Sequence, residues 1–275
     1  MNAHAQWTSG PGPLLLIGGS EDRVHSKVIL RLLFRVIGDA GRLVVITSAS
    51  QIPKRVGAMY SGAFAQLEVE ERVDILHLSR RSEAAKPANV ARIEHASAVF
   101  FTGGDQTRLA SLLGGTPVLN AVQALHNRGG VVSGTSAGAM AIPRTILYPR
   151  RGDPHRTLGT ETSPGLGLID NLLVDSHFTQ RDRLARLCGA VAQNPQNLGV
   201  GIDEDTALLV TCNELVEVAG SGAAYFVDGS KISYTSLADG TTTQQRVPLV
   251  FNLAIHVLLP GDRFNLSTRR PEHAG

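Results

Sequence analysis

Val131-Val132-Ser133-Gly134-Thr135-Ser136-Ala137-Gly138-Ala139 passes from a short apolar run, through a glycine-flanked turn, into small residues able to start a helix. A strand that stops at a glycine, turns and becomes a helix is a βα unit. The same passage recurs outward along the chain. Apolar runs at 14–17, 43–46, 73–78, 99–101 and 172–174 alternate with helix-period segments. One is 24–37, where Val24, Val28, Leu32 and Val36 fall near helical spacing; another is 53–70, which opens on Pro53 at a helix start. This order predicts an α/β fold, a doubly wound, mainly parallel sheet with helices on both faces. Beyond Glu204 the apolar period falls to two, in 207–210, 215–218, 223–227 and 253–259, which predicts C-terminal antiparallel strands.

The 275 residues, set against roughly 150 per domain, allow one large or two small domains. No Pro/Ser-rich linker divides them, so a single domain over 1–275 is expected, with 1–12 and 268–275 as frayed ends. Segment 149–167, rich in Pro, Gly and charge, is expected to be a long loop that covers substrate. Hydrophobic residues at 43% against 18% charged exclude a disordered tail and a coiled coil. A net charge of +2 excludes nucleic-acid binding through a broad basic field. The N-terminus has no basic start followed by an apolar run, and no stretch reaches membrane-spanning length, so a cytoplasmic protein without a membrane partner is expected. Cys188 and Cys212, without metal or CxxC spacing, read as packing thiols in a reducing compartment.

Gly134-Thr135-Ser136-Ala137-Gly138 is a G-x-S-x-G string in strand-turn-helix context, where the turn exposes the serine hydroxyl. It also aims the Ala137 N–H at the space beside Ser136 Oγ, as an oxyanion donor. A plain tight turn or a phosphate cradle is the competing reading, but GxGxxG is absent here and at 18–23, and Walker A spacing is missing. A serine nucleophile needs a base, and of the nine histidines His177 stands out because it ends the apolar strand of Leu-Leu-Val-Asp-Ser-His-Phe. If the strands are parallel, it shares a sheet edge with Ser136. His256 competes by chain order but lies inside an alternating strand. For the acid that orients the imidazole, the turn at 201–206 offers Asp203, Glu204 and Asp205, and spacing does not choose among them.

Thr179-Gln180-Arg181-Asp182 resembles a capping box that opens a helix with Leu184, Leu187, Cys188 and Val191 on its apolar side. Arg181, Arg183 and Arg186 fall off that side. The four lysines leave Arg as 22 of the 26 cations, so any one arginine is ordinary composition. Three beside the proposed base predict a carboxylate pocket, the more so because Arg181 would sit at a helix N-terminus that disfavours cations.

These motifs together, GGSEDR at 18–23, FFTGGDQTRL at 100–109, GTSAGA, DSHFTQRDRLARL at 175–187 and GVGIDEDTAL at 199–208, resemble the cyanophycinase family of serine peptidases, over about residues 14–260. That family has an α/β sandwich related to aspartyl dipeptidases and to class I glutamine amidotransferases. The resemblance implies Ser136 as nucleophile, His177 as base and Glu204 as orienting acid. Gly104 would supply the second oxyanion donor, and Gln106, Asp175, Ser176, Arg181, Arg183 and Arg186 would bind substrate. Asp175 is expected to meet guanidinium groups and the arginines carboxylates. Ser176 stands where the family typically has glutamine, which loses reach to one substrate residue.

The implied function is hydrolysis of cyanophycin, a poly-aspartate carrying arginine on its β-carboxyls, to β-Asp-Arg dipeptides by a homodimer. No metal or organic cofactor is expected. A cytoplasmic aspartyl or isoaspartyl dipeptidase without polymer specificity is the alternative within hydrolases, and a non-catalytic protein gripping an Arg- or Asp-rich ligand is the alternative outside them.

Overall fold

In the computed structural model, residues 10–149, 160–211, 214–237 and 248–272 are described. The first half alternates strand and helix: β1 (Leu14–Ile17), α1 (Val28–Ile37), β2 (Leu43–Ile46), α2 (Pro53–Ala65), β3 (Val73–Leu76), α3 (Pro87–Glu94), β4 (Ala98–Phe101), α4 (Gln106–Leu113), α5 (Pro117–Asn127), β5 (Val131–Thr135) and α6 (Ala137–Ala141). A hairpin, β6 (Thr145–Pro149) and β7 (Thr160–Pro164), precedes β8 (Leu172–Ser176), α7 (Leu184–Gln193) and β9 (Leu198–Ile202). Then come β10 (Thr206–Val210), β11 (Leu215–Gly220), β12 (Ala224–Asp228), β13 (Tyr234–Thr235), β14 (Val250–Phe251), β15 (Ala254–Leu258), β16 (Arg263–Asn265) and β17 (Arg270–Glu272).

The strands form two main sheets. The larger has nine, in the order β17-β16-β11-β10-β1-β5-β4-β2-β3. Its half from β1 to β3 is parallel, and the half from β10 to β17 is antiparallel. The smaller runs β15-β12-β9-β8, with β8 and β9 parallel and the rest antiparallel. The expected α/β architecture with C-terminal antiparallel strands is present, but β8, which leads to His177, pairs in the smaller sheet rather than beside β5.

Both faces of the larger sheet are covered, which is why β1, β2 and β4 are continuous apolar runs. Along β1, Leu15 and Ile17 pack on the side of α1 and α2, with Ile29, Leu33, Tyr60 and Phe64. Leu14 and Leu16 face the opposite side, in one core with Phe101, Phe178, Val200, Phe226 and Phe264. Phe226 of β12 stacks on Phe264 of β16, with centroids 4.0 Å apart and rings within 11° of parallel, so the two sheets meet directly. No described helix is long and apolar enough to cross a membrane.

Several boundaries differ from the sequence expectation for identifiable reasons. Helix α1 starts at Val28, because Lys27 has φ 51° and the Asp22 carboxylate accepts the backbone N–H groups of Val24, His25 and Lys27 in a turn of its own. Part of the expected loop 149–167 is strand β7; its middle, 150–159, lies outside the described residues. The expected frayed ends also shrink. Arg270–Glu272 pairs with β16, and the Gly12 N–H donates to the His126 carbonyl at 2.7 Å. Residues 1–9, 273–275 and Cys212 lie outside the description.

Candidate active site

The turn between β5 and α6 puts Ser136 at φ 53° and ψ −119°, a conformation an L-residue adopts only when its surroundings enforce it. The flanking glycines make the enforcement possible. A Cβ on Gly138 would stand 2.1 Å from the Phe101 carbonyl oxygen, and one on Gly134 would stand 2.5 Å from the Gly138 carbonyl carbon. The Ser136 N–H donates to the Ile17 carbonyl at 2.9 Å, which ties the turn to the end of β1.

His177 follows β8 at φ 47°, its N–H donating to the Gly18 carbonyl at 2.8 Å. Its Nε2 is 2.7 Å from Ser136 Oγ, and its Nδ1 is 2.6 Å from Glu204 Oε1. A carboxylate on Nδ1 requires the proton there, which leaves the Nε2 lone pair facing the serine hydroxyl. Geometry also separates the three acids of the 201–206 turn. Asp203 accepts from the Thr179 N–H at 2.9 Å, the Thr179 hydroxyl at 2.7 Å and the Ala223 N–H at 3.3 Å. Asp205 accepts from the Asp22 N–H at 2.9 Å and the Ser221 hydroxyl at 2.8 Å. Only Glu204 of the three meets the imidazole. His256 pairs opposite Phe226 in β15, with its ring against Phe264.

Burial holds the His177 pKa below its ordinary 6.5, with Arg181 and Arg183 adding to the effect and Glu204 opposing it. The hydrogen bond from His177, helped by Ser20, holds Glu204 below the usual carboxylate value. A neutral imidazole and an ionised carboxylate therefore coexist at neutral pH, the pairing that lets a hydroxyl lose its proton.

Beside the serine lies a cleft of about 830 Å³. Ala137 lines it and opens α6, so its N–H has no intrahelical acceptor. Gly104 lies on the wall, in a loop whose Gly103 presents its Cβ position 3.4 Å from Ser136 Cβ. Gln106 lines the cleft too, but its amide nitrogen donates to the Leu147 carbonyl at 2.7 Å, which holds hairpin β6–β7 in place. Ser176 turns its hydroxyl toward Met140 Sδ at 3.3 Å.

The arginine stretch departs most from expectation. Thr179–Arg181 is a single 3-10 turn, Asp182 is left-handed at φ 50°, and α7 begins only at Leu184. Arg181 therefore does not stand at the N-terminus of a long helix, and the dipole argument does not apply to it. Arg183 and Arg186 are buried, not on a solvated face. Asp175, whose side chain is fully buried, receives Arg183 Nη1 at 2.8 Å, Arg186 Nε at 2.6 Å and Arg186 Nη2 at 2.5 Å. Its oxygens are thus occupied internally and do not face the cleft as a guanidinium receptor. Two guanidiniums on one carboxylate leave a surplus positive charge. Arg186 Nη1 is buried without a partner among the described residues, and Arg181, Arg183 and Arg186 all line the cleft. Burial lowers the Arg183 pKa to about 10, which still keeps it protonated at neutral pH.

Two further residues belong to the site: Tyr148, which lines the cleft from β6, and Gly19, where a Cβ would strike the His177 ring at 2.4 Å. The glycine pair in GGSED is the visible signal for the second; nothing in the sequence marks the first.

The sequence model of Peptidase family S51 matches residues 14–218. A cyanophycinase of Synechococcus elongatus is 36% identical over 273 residues, covering 98% of this chain and 83% of the relative. One of Geminocystis herdmanii is 35% identical, covering 94% and 95%, and one of a Nostoc species is 37% identical, covering 93% and 86%. Among solved structures, a peptidase from an acI-B1 Actinobacterium shares the fold with a TM-score of 0.70 at 20% identity, covering 94% of this chain and 98% of its own.

Proposed function

Because this chain belongs to Peptidase family S51 and is a serine peptidase, we propose that it is an exopeptidase that hydrolyses cyanophycin to β-Asp-Arg dipeptides. The observation that carries the reading is the line Glu204–His177–Ser136 ending at a cleft with surplus positive charge. In this reading Ser136 Oγ attacks the α-carbonyl of a backbone aspartyl unit while His177 Nε2 takes its proton. The carbonyl oxygen, now negative, turns toward the N–H groups of Ala137 and Gly104. His177 returns the proton to the leaving amine, and water activated by the same imidazole releases the acyl group from Ser136.

The cluster of Arg183 and Arg186 on Asp175 supports a role in binding substrate carboxylates, the groups a poly-aspartate end presents. Asp175 acts here by holding the two forks, and the Ser176 hydroxyl is turned to Met140 Sδ.

The reading includes two finer parts, a cytoplasmic location and a homodimer. The exposed side chains of Ile255 and Val257 in β15, with Leu259 just beyond it, are apolar on an edge strand and suit burial against a second copy. Sedimentation of the purified protein checks the second part.

The test of function is incubation of the protein and its Ser136→Ala variant with insoluble cyanophycin, followed by mass spectrometry of soluble products. Release of β-Asp-Arg by the wild type, reduced at least about 1,000-fold in the variant, is expected. Cleavage of Asp-X dipeptides with the polymer left intact would replace cyanophycinase with a dipeptidase.

A further inference from the structure

Residues 17–22, from the end of β1 into the loop before α1, bond to each of the three turns that carry the proposed catalytic groups. Ile17 accepts the Ser136 N–H, and Gly18 accepts the His177 N–H. The Gly19 carbonyl accepts the Asp205 N–H at 2.9 Å, and the Asp22 N–H donates to the Asp205 carboxylate. Ser20, from the same loop, helps hold the Glu204 carboxylate below its usual pKa. Gly19 backs the imidazole so closely that no side chain fits between them.

Glu21 points the other way, into the protein. Its side chain is wholly buried, yet it is a carboxylate, and its nearest cation, Arg23 Nη1 at 3.3 Å, belongs to a side chain 29% exposed. Glu21 Oε1 accepts the Tyr60 hydroxyl, and Oε2 accepts the Thr135 hydroxyl at 2.6 Å. Burying such a charge is costly, and a loop needing only to be filled would use an apolar residue. The other end of this bond explains the choice. Thr135 is the last residue of β5 and precedes Ser136, whose backbone holds its strained conformation only if its neighbours cannot relax. A charge-assisted hydrogen bond fixes the Thr135 side chain, and with it the strand end from which the turn departs.

We propose that Glu21 is a positioning residue for the peptidase reaction: through the Thr135 hydroxyl its carboxylate fixes the direction of Ser136 Oγ against His177 Nε2. The inference rests on the assignment of Ser136 as nucleophile, and it makes the 18–22 loop the part that registers the two sheets at the site. Tyr60, on α2, completes the seat of Glu21, so the nucleophile is referenced to the helix layer beneath the sheet as well as to β1.

Three variants separate this role from plain stability. Glu21→Gln keeps the shape and can still bond both hydroxyls, but removes the charged acceptor. Thr135→Val removes only the hydroxyl, and Thr135→Ser restores it. Each is compared with the wild type by the rate of Ser136 labelling with a fluorophosphonate, by kcat and KM on cyanophycin, and by the pH dependence of kcat/KM. Labelling and kcat of Glu21→Gln and Thr135→Val are expected to fall about 10- to 100-fold with KM within about twofold, because misplacement of a reacting atom costs rate rather than binding. Thr135→Ser is expected to recover most of the rate, and the acid limb of the profile to stay where it is. Unchanged kcat in folded Glu21→Gln, a rise in KM alone, a displaced acid limb, or Thr135→Ser as slow as Thr135→Val would each overturn the proposal. Should Glu21→Gln not fold, the two Thr135 variants decide it. A wild type that labels at Ser136 but leaves cyanophycin intact would remove the substrate and not this inference; a wild type that does not label would remove both.

Discussion

Ser136 and His177 both sit at positive φ where a strand ends, one on each sheet, and they are held there by different physics. On the nine-stranded sheet the turn itself is held sterically, with the Glu21 bond to Thr135 fixing the strand end before it. Gly134 and Gly138 let the turn, the helix behind it and the Phe101 carbonyl approach closer than any side chain allows. On the four-stranded sheet the means is electrostatic. Asp175, two residues before His177, gathers Arg183 and Arg186 under the cleft, and Asp203 pins Thr179 just after it. A steric mount fails when a methyl group is added, an electrostatic one when a charge is removed. The base side should then be the more costly to disturb, because the charges it balances are buried.

Asp175→Asn tests that directly and carries the largest expected effect. It preserves volume but leaves two buried guanidiniums without a counter-charge, a loss of about 3–5 kcal/mol for broken buried ion pairs. Urea unfolding with an unchanged m-value should report it as a lower midpoint. A loss under about 1 kcal/mol would mean that the arginines are solvated from the cleft and that the electrostatic mount is not what holds β8 and α7 together.

Gly138→Ala is the matching break on the other side. The intruding methyl meets a backbone oxygen of β4, which cannot swing away, so a cost toward the upper end of the usual 1–3 kcal/mol for overpacking is expected. Labelling of Ser136 should be lost in the same variant, since relief of the clash must open the turn. Retained labelling at reduced stability would show that the serine is positioned from β1 and Thr135 rather than by the glycine contact.

The same division decides what could be read in the sequence. The steric side was legible, because glycines and apolar runs are local signals: β1, β2, β4 and β5 fall on the predicted runs, and Ser136 falls in the predicted turn. The electrostatic side was legible in composition but not in placement. The arginines after His177 are visible in the sequence, yet their burial on Asp175 depends on an α7 that starts two residues beyond the apparent capping box, after a left-handed Asp182. The sheet to which β8 belongs was equally hidden, because parallel strands buried on both faces look alike whichever neighbour they pair with. Choosing Glu204 over Asp203 and Asp205 on the residues alone required knowing that Thr179, Ala223, Asp22 and Ser221 occupy the other two.

The smallest expected effect concerns how far the charges beside His177 reach the chemistry. As the proposed base, His177 must be neutral to accept the serine proton, so kcat/KM should hold above its pKa and fall as pH drops through it. Burial puts that limb below the ordinary histidine value of 6.5. Arg181 contributes to the lowering from an exposed position on the cleft wall, whereas Arg183 does so while paired with Asp175. Replacing Arg181 by Gln removes a like charge from the imidazolium, which favours the protonated form, so the acid limb should move to higher pH. Because Arg181 is exposed, the displacement should shrink as salt is raised from about 0.01 to 1 M, where the Debye length falls from about 30 to 3 Å. A displacement in the opposite direction would mean that Arg181 acts on Glu204 more than on His177. One that ignores salt would mean that the field is carried by the buried pair, with Arg181 only setting its geometry.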